Sequence, residues 1–432
     1  MPLEQTTPQI SAYKAAYNKH RRRPLDPSFI EDLNDLIDFS NGSEDIRIHD
    51  LHPTNRYEDR GNEDTYANAN ANANANANAN ANANAHSEFS YKGPRFSLVS
   101  HPGFVYIPQA LGKIIQNDLA YQSLTEFLNA EHKHATNIDL VPIKKGEIEN
   151  GDMQMWDLWK TGSSDKSNDN DNDNGKQSTK QIPKKLRMEH TNTAATAAAQ
   201  SNENYTYYKT FDKLSWSTTG YHYDWTARSY TEQKKSPMPK QLLRLGSIFA
   251  HLDQSTTCME AHDHDHDFNA SASIINYYSL KSNMGGHRDD LELDFTKPVV
   301  SLSLGLPAVF LLGGKTKDDE VVPIVVRPGD VMLLAGESRL CYHGMARVIP
   351  ADVPLPKVEP NIDCIQSWKS ICNDDIDFED GGGLSMPEHE LGHLESFLSS
   401  HRININLRQV LPHGMIEIPN KPTTHKINGP IL

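Results

Sequence analysis

The stretch Arg402-Ile403-Asn404-Ile405-Asn406-Leu407-Arg408 carries a polar residue at every second position and an aliphatic residue between each pair. Successive side chains of a strand point to opposite faces. The segment therefore predicts a strand with two arginines and two asparagines on one face and Ile403, Ile405 and Leu407 on the other. An ordinary half-buried strand would show scattered surface polars. Two guanidinium groups on one face predict a grip on a small dicarboxylate, because guanidinium pairs bidentately with carboxylate. Taken alone the pattern reads better as a solvated edge strand; other segments of the chain turn the reading.

Upstream stand His287-Arg288-Asp289 and, later, Leu340-Cys341-Tyr342-His343. His287 and Asp289 are two apart, so on a strand they point the same way, and His343 can return on a neighbouring strand of the same barrel. Two histidines and one carboxylate on one side of a metal form the facial triad of non-haem Fe(II) oxygenases, which keeps positions open for co-substrate and oxygen. An H-x-D tripeptide is weak evidence by itself. H-x-D, a distal His and R-x-N-x-x-x-R in that order is strong.

The rest of the 432-residue chain sets bounds on this reading. Residues 67–85 alternate Ala and Asn without interruption, residues 168–174 alternate Asn and Asp, and residues 163–201 are polar. Such segments bury too little apolar surface to offset chain entropy, and we read 61–92 and 161–204 as disordered inserts. The net charge of −15 argues against coating a polynucleotide by bulk attraction. A groove would have to hold such a substrate. Local basic clusters at Lys14, Lys19 and Arg21 to Arg23, and at Lys184, Lys185 and Arg187, read more readily as solvated helix ends or linkers. Four cysteines without CxxC spacing fit free thiols in a reducing compartment. No run approaches the ~20 apolar residues of a membrane span. The expectation is an intracellular protein, nuclear or cytoplasmic with a mitochondrial site left open, probing no membrane and acting as a monomer.

Along the chain, 11–23 and 26–39 predict two short helices that make 1–60 an N-terminal helical extension. Residues 103–107 predict a strand and 109–131 a helix, both in a segment 93–160 packing on the core. Residues 214–225 are aromatic and alternating, predicting two strands around a turn, and 239–251 predict a helix. From 273 on, strands are expected at 274–280, 299–304, 308–312, 321–326, 331–334, 340–348 and 403–410, separated by Gly, Pro and Asp signals. A loop is expected at 351–384, a helix with capping-box spacing at 386–400, and a tail at 416–432. The fold class is mainly β with flanking helices (α+β). Its catalytic domain, 205–415, is a double-stranded β-helix, or jelly roll, able to hold ligands in its mouth.

With those residues in view, the chain resembles the AlkB family of Fe(II)/2-oxoglutarate dioxygenases, in its eukaryotic homologue-1 branch with fungal relatives. The resemblance runs from about Leu214 to Leu411 and includes Asn276-Tyr277-Tyr278, Gly286-His287-Arg288-Asp289, Phe310 to Gly314, Gly329-Asp330, Ser338-Arg339-Leu340 and Arg402 to Leu411. It implies iron ligands at His287, Asp289 and His343. It implies 2-oxoglutarate contacts at Asn276 and Tyr278, with Arg402 anchoring the distal carboxylate, Asn404 beside it and Arg408 near the chelating end. Trp216, Tyr221 and Tyr223 fall where the family has a substrate-facing hairpin. The stretch between His343 and Arg402 is longer than in bacterial members. The implied reaction consumes O2 and 2-oxoglutarate, releases succinate and CO2, and removes an N-methyl group from a DNA or RNA base as formaldehyde. The aromatic set, with Trp225, can stack on an extruded base, at about 1–3 kcal/mol per base; plain core packing accounts for each ring equally well.

Rival readings remain. A histone or other protein is the alternative substrate on the same fold. His389-Glu390-Leu391-Gly392-His393 matches the H-E-x-x-H zinc-protease pattern, but no continuation or later acidic ligand accompanies it. His262 to Asp267 alternates His and Asp and reads as a solvated loop.

Overall fold

The computed structural model describes residues 10–21, 36–39, 47–51, 91–128, 136–137, 214–224, 227–252, 268–358, 360–371 and 386–418. Residues 61–90 of the first low-complexity insert, the whole of the second, Trp225, residues 26–35 of the expected helix, Cys258, Cys372 and the tail beyond 418 lie outside them; Tyr91, expected within the first insert, is instead buried against Phe249. Cys341 and Cys364 are free thiols. No helix among the described residues is long and apolar enough to cross a membrane.

In chain order the elements are α1 (Ala12–His20), β1 (Ile48–Asp50), β2 (Phe96–Leu98), β3 (His101–Ile107), α2 (Lys113–Leu124), β4 (Trp216–Asp224), β5 (Ser229–Lys235) and α3 (Lys240–Ala250). There follow β6 (Ala272–Ser279), β7 (Met284–His287), β8 (Val299–Gly305), β9 (Ala308–Leu312), β10 (Val322–Val326), β11 (Val331–Leu334), β12 (His343–Val348), α4 (Leu391–Leu398) and β13 (His401–Arg408). A nine-stranded sheet runs β1-β2-β3-β11-β8-β13-β6-β4-β5 and a four-stranded sheet β10-β9-β12-β7. From β6 to β13 the chain passes back and forth between the two sheets in antiparallel pairs, apart from the β9–β10 hairpin, which stays in the smaller sheet; this is the jelly-roll winding.

Strand β13 explains much of this order. Ile403, Ile405 and Leu407 are fully buried in a core shared with Leu119 of α2, Leu245 and Phe249 of α3 and Phe397 of α4. Each such side chain contributes about 1.5–3 kcal/mol when fully buried. The apolar row therefore drives β13 to the centre of the large sheet, between β8 and β6. Helices α2, α3 and α4 cover that face, and the four-stranded sheet faces the other. A second cluster, including Phe104, Met332, Val299, Leu312 and Ile324, closes one end of the space between the sheets.

Four expectations need correction. Residues 214–225 do not form two strands around a turn. β4 is one strand that pairs with β6 over Trp216–Gly220 and with β5 from Tyr221 onward. Gly220, at φ +72°, bends the chain between those partners, and a Cβ there would overlap Ser271 O. Residues 36–38 are not helical: Ile37 bridges Ile324 in parallel, and Asp38 forms a double ion pair with Arg327 at 2.5 Å. The 351–384 loop is not wholly on the surface. Ile365 and Ile371 are buried, and Trp368 Nε1 donates to Asp118 on α2 at 3.0 Å. The expected helix 386–400 is shorter, a 3-10 turn Glu388–Glu390 leading into α4. Ser385, with which the capping-box spacing Ser385-Met386-Pro387-Glu388 begins, lies outside the described residues.

Candidate active site

The polar face of β13 looks into a cavity of about 440 Å³ between the two sheets, lined by Arg402, Asn404, Asn406 and Arg408 among others. The expected alternation is therefore realised, with the asparagines acting as braces. Asn404 Nδ2 donates to Ser301 Oγ at 2.8 Å and to Leu302 O at 3.0 Å, while its Oδ1 accepts from Asn406 at 2.9 Å. Asn is a poor strand former; here its side-chain bonds tie β13 to β8.

His287 ends β7 and His343 begins β12, and the two are direct partners in the ladder. Asp289 follows two residues beyond His287. Ligand-capable atoms of the three lie within 4.8 Å of one another. Nε2 of His287 is 4.0 Å from Asp289 Oδ1, and Nε2 of His343 is 3.7 Å from Asp289 Oδ2. The other ring nitrogens face backbone carbonyls, His287 Nδ1 to Gly285 O at 3.1 Å and His343 Nδ1 to Cys341 O at 3.0 Å. A carbonyl at Nδ1 fixes the tautomer that leaves Nε2 as a lone-pair donor. Burial, with His287 close by, lowers the His343 imidazole to about 4 from its ordinary 6.5, so it is neutral and ready to ligate. Two imidazoles and a carboxylate on one side of a common point can hold a divalent first-row metal with open positions facing the cavity. Among the described residues, this is the cluster whose donor atoms can share one ion.

The two arginines of β13 do different work. Burial alone would raise the Asp289 carboxyl, yet Arg408 and the two imidazoles hold it well below the usual range. Arg408 Nη2 donates to Asp289 Oδ2 at 2.8 Å, and its Nε lies 3.2 Å from Glu292 Oε1. Its buried Nη1 has no protein partner. Arg339 completes the group. It donates to Asp289 O at 2.6 Å, to Lys297 O at 3.1 Å and to Glu292 Oε2 at 3.0 Å. Sequence reasoning gave Arg339 no role and missed Glu292, since a charged pair far apart in sequence carries no local pattern.

Arg402, by contrast, is 3% exposed and has no carboxylate within ion-pairing range among the described residues. It donates only to neutral oxygens, Leu306 O at 3.2 Å and Ser303 Oγ at 2.9 Å. Burial pulls it below its ordinary value, but a guanidinium stays charged at neutral pH. A buried cation without a counter-charge is costly, and one lining a cavity is an anion site. Tyr278 stands opposite Arg402 in the β6–β13 register and Asn276 opposite Asn404. Burial keeps the Tyr278 phenol neutral. Both line the cavity.

Of the three expected substrate-facing residues, only Tyr223 lines the cavity, where it meets Tyr230 edge-on at 5.4 Å. Tyr221 is buried outside it, donating to Glu232 at 2.7 Å beneath Lys235. The bulge between Tyr221 and Tyr223 separates their surroundings. Trp216 stands opposite Asn276 but is not part of the cavity lining. Tyr230 and Arg228, which the sequence reading passed over, do line it. The rival H-E-x-x-H pattern is not assembled: His389 is 80% exposed on the 3-10 turn, His393 is exposed on α4, and Glu390 is buried.

A family model described as the 2OG-Fe(II) oxygenase superfamily matches residues 173–408. The chain belongs to that superfamily. Within it the chain is similar to AlkB-type members. The DNA N(6)-methyladenine demethylase ALKBH1A of Arabidopsis thaliana is 31% identical over 323 residues, 73% of this chain and 78% of that protein. The human nucleic acid dioxygenase ALKBH1 is 33% identical over 210 residues, 46% of this chain and 47% of the human one. The tRNA demethylase abh1 of Schizosaccharomyces pombe is 29% identical over 201 residues, 46% and 54% of the two chains. The chain thus aligns with about half the length of the human and yeast proteins. As a member of the 2OG-Fe(II) oxygenases it uses Fe(II), 2-oxoglutarate and O2, and the donor set fits all three. The triad suits a divalent iron with free positions, and the unneutralised Arg402 suits the far carboxylate of a keto diacid.

Proposed function

We propose that this 2OG-Fe(II) oxygenase removes N-methyl groups from bases of DNA or RNA, with His287, Asp289 and His343 as the metal ligands and Arg402 as the co-substrate anchor. The observation that carries the reading is the pairing, across one cavity, of a three-donor metal set with a buried arginine lacking an acidic partner. Support for the substrate class comes from the relatives, whose names specify demethylation of DNA and tRNA.

The chain's own residues would act as follows. Arg402 takes the distal carboxylate of 2-oxoglutarate, helped by the Tyr278 hydroxyl and the Asn276 amide. Fixing that end sets the keto acid beside the metal ligands, which is catalysis by positioning. Arg408 Nη1, buried without a hydrogen-bond partner, is available to the chelating end. With Fe(II) and 2-oxoglutarate bound, the site supplies an O2-dependent oxidation that yields succinate and CO2 and hydroxylates an N-methyl group, which leaves as formaldehyde. Tyr223 and Tyr230 form an aromatic wall for an extruded base. Burial keeps both phenols neutral, so each can donate a hydrogen bond. Arg228 and Arg288, on the cavity lining, give local positive charge to meet phosphate on a chain whose net charge is −15.

The test is formaldehyde and succinate release from matched methylated DNA, tRNA and histone-peptide substrates, supplied with iron and 2-oxoglutarate. Release from a nucleic acid and not from peptides is expected. Peptide-only turnover would overturn the substrate class.

A further inference from the structure

Helix α1 lies far outside the family match, which begins at residue 173, yet it packs on β7, β9 and β12 of the smaller sheet. Its buried Tyr13 ring fills a notch made by three glycines. A Cβ at Gly286 would overlap the ring, one at Gly344 would come within 2.7 Å of the hydroxyl, and one at Gly313 within 3.0 Å of Cδ2. Gly286 precedes His287 and Gly344 follows His343. One aromatic ring therefore sits against the backbone beside both imidazoles.

The strand that carries His287 has little else to hold it. β7 has four residues, lies at the edge of its sheet and, among the described residues, pairs only with β12, through a register that shifts between His343 and Met345. Such an edge is prone to slip. Helix α1 is itself pinned. The Tyr13 N–H donates to Lys317 O at 2.8 Å, the Tyr13 hydroxyl makes a long 3.5 Å contact to Leu311 O, and the Tyr17 hydroxyl donates to Asn283 Oδ1 just ahead of β7. A glycine notch filled by a distant side chain makes a joint that is stiff only while the side chain is present.

We propose that Tyr13 is a positioning residue of the metal centre: its ring holds the glycine ends of β7 and β12 at the spacing where His287 and His343 share one ion. This rests on the metal-ligand assignment above. The test is Co(II) titration of the full-length protein, followed by visible absorption, with thermal unfolding measured alongside. Tyr13→Ala is expected to unfold cooperatively, to bind Co(II) about 10–100-fold more weakly, the range for lost support around a metal ligand, and to change the absorption envelope. Tyr13→Phe keeps the ring and is expected to match the parent. A folded Tyr13→Ala protein with parental affinity and spectrum overturns the proposal. Should Tyr13→Ala fail to fold, Gly286→Ala crowds the same notch and is expected to weaken Co(II) binding. Adding Tyr13→Leu to Gly286→Ala should then restore it, and absence of rescue overturns the proposal. A parent protein that takes up no Co(II) overturns the metal assignment first and this proposal with it, a result separable from the variant pattern.

Discussion

Arg408 donates to the same Asp289 oxygen, Oδ2, that faces Nε2 of His343, at 2.8 Å against 3.7 Å. One carboxylate thus connects the last residue of β13 to the candidate metal site. Replacing Arg408 with Ala would leave Asp289 a buried acid without its guanidinium partner, while Glu292 keeps Arg339 at 3.0 Å. Breaking a buried pair in this way costs about 3–5 kcal/mol. Urea unfolding of the metal-free Arg408→Ala protein should show that loss, and added Co(II) should recover part of it by neutralising Asp289. A loss below about 1 kcal/mol would mean the pair is solvated in practice.

Arg402→Ala should act on the co-substrate and spare the metal. Hydrogen bonds to charged groups are worth about 1.5–3 kcal/mol, so the half-saturating 2-oxoglutarate concentration should rise roughly ten- to hundredfold while Co(II) affinity holds. Since Arg402 is a buried charge without a carboxylate partner, its removal should not lower stability in the way Arg408→Ala does. An unchanged half-saturation would remove Arg402 from the anchor role.

His287→Ala should give a folded protein without turnover. The ring is partly exposed at the end of an edge strand, so its loss opens no large core void. Circular dichroism matching the parent, together with absent succinate production, is the expected pair of results. His389→Ala, far out on the 3-10 turn, should retain activity; an inactive folded variant would revive the zinc-protease alternative.

The pH dependence of the metal-free protein follows from His343. Its imidazole is lowered to about 4 from 6.5 by burial and by His287. A base whose folded value is depressed takes its proton first in the unfolded chain. Its contribution is therefore complete above pH 6.5 and is lost as pH falls toward 4. One proton gives a slope of at most ~1.4 kcal/mol per pH unit. Denaturation midpoints measured across that window should fall with acidity, and His343→Asn should flatten the fall. A flat parental profile would show that His343 is already protonated in the native state.

How much of this was legible in the sequence follows the range of the interactions. The β13 alternation and the H-x-D pair are local patterns, and strand geometry alone dictates which side chains share a face. The join of His343 to His287 needed the jelly-roll winding as well, which the spacing of short strands implied. Tyr221 was misjudged because period-2 reasoning puts it beside Tyr223, whereas a bulge between them breaks the period. Nothing local marks Tyr13 as a neighbour of Gly286, Gly313 and Gly344, and the Arg339–Glu292 pair, 2% exposed on each side, reads in the sequence as two solvated charges.

Because β13 is hydrogen-bonded on both flanks, to β8 and to β6, its amides can meet solvent deuterium only when the whole large sheet comes apart. The hairpin β4–β5 and the lone edge of β7 can breathe at far lower cost. The chain has thus put the proposed keto-acid anchor on its slowest-exchanging backbone and the proposed aromatic wall on a margin that can yield to differently shaped guests.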